Sequence, residues 1–72
     1  MIEIERDEYR YFLEANVYPQ LNISEVNEEN VQYVYDYIVE AYELPLIDNN
    51  DDRFLFINGL LRELALHLPH RQ

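Results

Sequence analysis

Cysteine, lysine, threonine and tryptophan are missing from this 72-residue chain, and serine and glycine occur once each, as Ser24 and Gly59. Without cysteine there is no disulfide framework, no thiolate nucleophile and no cysteine-ligated zinc, so the chain is held together by packing or by association. The usual activated nucleophiles shrink to Ser24, which reads as a helix cap, and no glycine-rich loop is present to cradle a phosphate. These absences point away from an enzyme and imply no cofactor. Cations are scarce as well: five arginines face fifteen Asp and Glu, giving a formal charge of −10. Such a balance repels nucleic acid and anionic membranes as direct partners. No apolar run approaches the roughly 18 residues of a membrane span, and Met1-Ile2-Glu3-Ile4-Glu5 lacks the basic and apolar regions of a secretory leader. The expected location is the cytoplasm, of a bacterium or of an infected host cell. Asn22-Ile23-Ser24 matches the glycosylation triplet, which matters only in a secretory protein.

What the chain does have is apolar residues, 49% of the total, enough for one small core in a chain that buries only roughly 60% of its unfolded surface. Three prolines partition it into helical segments, since proline neither continues a helix nor leaves its predecessor free to do so. In the first, roughly Asp7 to Tyr18, Tyr9, Phe12, Leu13 and Asn16 share a face, and Pro19 is expected to end the run. Ile2 and Ile4 alternate with Glu3 and Glu5, which fits a short strand or an extended arm. The second segment is expected to start near Asn22 to Ser24, capped by Asn22 or Ser24, and to run to about Leu44 before Pro45. Val31, Val34, Tyr35, Ile38, Ala41 and Tyr42 form its inner stripe at helical spacing.

The polar stretch Asp48 to Asp52 supplies capping residues for a third helix from about Asp52 to Leu68, stopped by Pro69. Phe54, Ile57, Leu61, Leu64, Ala65 and Leu68 are its inner stripe. Leu55, Phe56, Leu60 and Leu66 fall off that stripe, so the helix is apolar nearly all round, which predicts contact with a second copy or a partner. The fold class expected is all-α: one acidic domain over residues 1–72, a small three-helix bundle with an extended N-terminal arm, completed as a homodimer through those four residues.

The charge layout is the most unusual feature. From Tyr11 through Asp52 there is no Lys or Arg, while Glu14, Glu25, Glu28, Glu29, Asp36, Glu40, Glu43, Asp48, Asp51 and Asp52 all lie within that stretch. If the second helix is continuous, Glu25, Glu29, Gln32, Asp36, Glu40 and Glu43 stack along the face opposite its apolar stripe. Opposite charges at such spacing gain roughly 0.2 to 0.5 kcal/mol per pair and like charges lose similar amounts, so local helix stability does not account for the row. Either it only keeps the protein dispersed, or it receives a basic partner, with carboxylates spaced axially by roughly 4.5 to 6 Å, broadly as successive phosphates are. Tyr33 and Tyr37 lie on the rim between the row and the apolar stripe, where tyrosine serves as a core margin or as an interface anchor, and Tyr11 is a weaker candidate for the same role.

Metal sites are poorly supported. Asp48, Asn50 and Asp52 imitate the opening of a calcium loop, but Arg53 stands where that loop needs glycine and Gly59 where it needs glutamate. Glu63, His67 and His70 are grouped only at a chain end that is expected to fray. In charge and size the chain resembles small acidic proteins that imitate DNA and immunity proteins that block nucleases, a likeness of composition alone. The expected function is therefore inhibition or neutralisation of a basic, nucleic-acid-binding or nuclease-type protein. Glu25, Glu29, Tyr33, Asp36, Tyr37, Glu40 and Glu43 would form the binding surface. The other reading is an assembly adaptor that works through the apolar C-terminal helix.

Overall fold

The computed structural model describes residue 4 and residues 6–42 and 51–68. Over these the protein is all-α: α1 (Asp7–Phe12), a π-helical segment (Leu13–Val17), α2 (Tyr18–Leu21), α3 (Val31–Ala41) and α4 (Asp52–Ala65), with no strand among the described residues. α1, the π segment and α2 follow without a break, and side chains from this first rod, α3 and α4 share one buried cluster. Glu43, Pro45, the Asp48 to Asn50 stretch, Pro69 and His70 lie outside the described residues.

The first rod departs from its expected form in two ways, with one cause. Pro19 does not end it; the helix continues to Leu21 and closes on Asn22, which takes the left-handed conformation at φ 58° and ψ 43°. Proline has no amide to donate and its ring crowds the carbonyl four residues back, and a widened turn just before it is where a helix absorbs both problems. The π segment supplies that turn. It also advances the buried face by one position, so Leu13, Val17 and Tyr18 point inward, while Asn16, expected inside, is exposed and donates through Nδ2 to the Phe12 carbonyl at 3.2 Å. Asn22, expected as a start signal, is thus a stop signal, and the Ile23 amide completes the closure by donating to the Tyr18 carbonyl at 3.1 Å.

The second helix starts later than its sequence suggests. Asn27 and Asn30 exchange hydrogen bonds, the Asn27 amide to Asn30 Oδ1 at 2.7 Å and the Asn30 amide to Asn27 Oδ1 at 3.0 Å. This is a capping box built from two asparagines, and it satisfies donors that an incoming helix leaves free. Asn27 Oδ1 also accepts from the Glu29 amide at 2.8 Å, and helical bonding begins with Val31 donating to the Asn27 carbonyl at 2.9 Å. Glu25 therefore lies in a bend before the helix, and Glu28 and Glu29 in the turn that leads into it. Tyr18 fastens this loop from below: its ring is buried and its hydroxyl accepts from the amide of buried Val26 at 3.3 Å.

α4 is capped by Asp51, whose side chain accepts from the Arg53 amide at 2.7 Å, as expected of that polar stretch. It ends at Ala65, three residues short of the expected stop, in a tightened turn where His67 donates to Leu64 at 3.0 Å and Leu68 to Ala65 at 3.2 Å. Ile57, Leu60, Leu61 and Leu64 are buried. Leu60 has no exposed surface, and Phe56 is half-buried at the centre of an aromatic cluster. Its ring centroid lies 5.2 Å from that of Tyr9 and 5.3 Å from that of Phe12, and Phe12 in turn lies 5.4 Å from Tyr42. Placing Leu60 and Phe56 on an outer interface is thus corrected. α4 meets the first rod as well as α3, so the arc it buries is wider than a single apolar stripe. Leu55 and Leu66 do remain outside, 58% and 77% exposed, while Ala65, expected inside, is exposed. Ile4 joins the core from an extended approach to α1, with Arg6 at φ −76° and ψ 120°.

Candidate functional site

α3 positions the candidate site. Val31, Val34 and Ile38 are completely buried on one side. With about 100° of rotation per residue, Gln32, Asp36, Glu40, Tyr33 and Tyr37 then follow one another around the opposite arc. Tyr33 is 58% exposed, Asp36 and Glu40 are exposed, and Tyr37 is half-buried with part of its ring against the core. Ala41, expected inside on the stripe of Val34 and Ile38, is exposed as the last residue of α3.

The long acidic row of the sequence resolves into two parts. Asp36 and Glu40 stand one turn apart on α3, with Gln32 one turn before them donating to Asp36 Oδ1 at 2.9 Å. Glu28 and Glu29 are exposed in the turn before the helix. Glu25 is half-buried and lies toward Tyr18. The Tyr18 phenol is held above its ordinary pKa first by burial and then by the nearby Glu14 and Glu25 carboxylates, against the opposing effect of the Val26 amide. Glu25 thus lies off α3, in the loop that Tyr18 fastens. The expectation of one continuous ridge fails because the capping box delays the start of α3.

Neutralising cations are found elsewhere. The two ion pairs among the described residues join Arg10 to Asp7 at 3.6 Å and Arg53 to Asp51 at 3.8 Å, and the Arg6 guanidinium sits 5.0 Å from the centre of the Tyr9 ring. Asp36 and Glu40 make no ion pair among the described residues. There, among the described residues, Tyr37, Glu40 and Ala41 line an open depression of about 240 Å³, below the usual size of a small-molecule pocket. Tyr42, at the end of α3, packs on Phe12, and its phenol is raised above its ordinary pKa by burial and then by the neighbouring Tyr37. Tyr11 is 72% exposed on α1.

Among the described residues no three His, Asp or Glu side chains gather closely enough to hold a metal ion. No described helix is long and apolar enough to cross a membrane. Comparison with protein-family models, curated sequences and solved structures finds no match. The site is therefore read from its own chemistry.

The aromatic neighbours of the carboxylates were legible from helical spacing. The depression was not, because it depends on tertiary packing, in which Tyr37 lies partly against the core.

Proposed function

We propose that this protein is a non-enzymatic binding protein whose outward α3 face docks a basic protein, of the nucleic-acid-binding or nuclease type, and thereby inhibits or neutralises it. The observation that carries this reading is that Asp36 and Glu40 are exposed and without an ion pair among the described residues, beside exposed Tyr33 and half-buried Tyr37. Tyrosine next to charge is a common composition for an interface anchor, because the ring supplies contact area while its hydroxyl stays wet. The −10 charge draws a basic partner in from a distance, and the two carboxylates fix where it lands. Imitation of a phosphate array is a weaker fit, since Asp36 and Glu40 are the only carboxylates of the expected row that share a helix among the described residues.

Replacing Asp36 and Glu40 by Asn and Gln tests the reading. The variant should keep its helical circular dichroism yet no longer compete with DNA for a basic nucleic-acid-binding protein that the wild type displaces. Unchanged competition would remove the face from the account.

A second reading rests on Leu55 and Leu66, which eleven residues of helical rotation bring to the same side of α4. There the protein acts as an assembly adaptor or closes a homodimer, and Leu55→Gln with Leu66→Gln would abolish assembly while the acidic substitutions left it intact.

A further inference from the structure

We propose that the depression beside Tyr37 is a seat for an arginine side chain of the basic partner, an inference that rests on the α3 face being the docking surface. Three features define the occupant. Among the described residues the lining combines an aromatic ring and a methyl group with a carboxylate, Tyr37, Ala41 and Glu40, so it offers an apolar wall for a long aliphatic stem and an anion for its head. Glu40 has no ion pair among the described residues, and a chain of net charge −10 attracts cations to it. The depression is open and small, which suits one side chain laid along the helix better than an enclosed small molecule.

Arginine fits this lining better than lysine. A flat, weakly hydrated guanidinium stacks on a tyrosine ring while its edge donates to a carboxylate, whereas an ammonium is a compact, strongly hydrated point charge that gives up water to do either. The protein already makes the same pairing within itself, where the Arg6 guanidinium lies over Tyr9 at 5.0 Å from the ring centre. The phosphate-binding arginines of a nucleic-acid-binding protein are the chemical class that such a seat would occupy, and occupying them would block their original use.

The test is a nuclear magnetic resonance titration of the full chain, at low ionic strength, with a capped arginine-rich peptide and its all-lysine counterpart of equal length. The arginine peptide should bind at least about fivefold more tightly and move the Tyr37, Glu40 and Ala41 amide signals together. Glu40→Gln should weaken it about threefold to fivefold, Tyr37→Leu should bring the two peptides level, and Tyr37→Phe, which keeps the ring, should retain the preference. Equal binding of both peptides by the wild type, with no effect of Tyr37→Leu, overturns the arginine seat and leaves a generic acidic face. Binding of neither peptide overturns the seat together with the reading beneath it. Glu40 is exposed, so its variant carries the test even if Tyr37→Leu disturbs packing.

Discussion

The hydroxyl of Tyr9 occupies the space that a side chain on Gly59 would need. A β-carbon built at that position meets the Tyr9 hydroxyl oxygen first and the ring carbon behind it at 3.3 Å. This explains why the chain's single glycine sits inside α4, where glycine ordinarily costs about 1 kcal/mol relative to alanine. The ring is held from several sides, by Phe56 and by Arg6 as well as by the helix it lies against, so it has little freedom to retreat.

Gly59→Ala should therefore destabilise the fold by about 1 to 3 kcal/mol despite alanine's better helix propensity. Tyr9→Phe removes the atom in the way, and the double variant should recover most of that loss. Urea denaturation of the four proteins forms a double-mutant cycle. Additive losses would show that the contact does not explain the glycine.

Leu60 and Leu66 should behave oppositely on substitution. Leu60 is completely enclosed, so Leu60→Ala should cost about 2 to 5 kcal/mol through lost burial and a cavity. Leu66 is 77% exposed, and Leu66→Gln should stay within about 0.5 kcal/mol in the monomer. Thermal melts at a concentration where sedimentation shows one species decide this. A well-tolerated Leu60→Ala would return that residue to the outer surface.

Alkaline pH should weaken the fold through Tyr18 and Tyr42. Both phenols are held above the ordinary value of 10.0 by burial, so between that value and the folded one the unfolded chain has lost protons that the folded chain retains. Their contribution is fully present below pH 10 and lost as pH rises through the folded values. Tyr18→Phe should flatten part of that decline, and near neutral pH it should cost about 1 to 3 kcal/mol by leaving the Val26 amide without its acceptor. Denaturant midpoints from pH 7 to 11 test this, and a flat wild-type profile would contradict it.

Helical class and the inner residues Val31, Val34, Ile38, Ile57, Leu61 and Leu64 could be read from spacing alone, because burial on one side of a helix imposes its period on the sequence. The errors cluster where another interaction competes with that period. Asn22 and Ser24 have the residue types of caps, but the reciprocal bonds between Asn27 and Asn30 set the start of the helix later. Asn16 was misplaced because a π turn before Pro19 is not a 3.6-residue pattern. Phe56 was misplaced because its covering comes from Tyr9 and Phe12 of α1, far away in sequence, and Leu60 because it belongs to the core shared by all the helices. On α3 the outward positions of Asp36, Glu40 and Tyr33 and the rim position of Tyr37 followed from helical spacing, whereas the place of Glu25 off the helix depended on where α3 begins.

Docking of a basic protein on Asp36 and Glu40 of α3, as proposed above, is read by capture from lysate on immobilised wild type and on the Asp36→Asn, Glu40→Gln variant, each eluted with rising salt and the eluate identified by mass spectrometry. The expected result is a set of basic, nucleic-acid-binding proteins that are held by the wild type alone and released as salt screens the contact. Recovery of the same proteins on both baits, at the same salt, would contradict it.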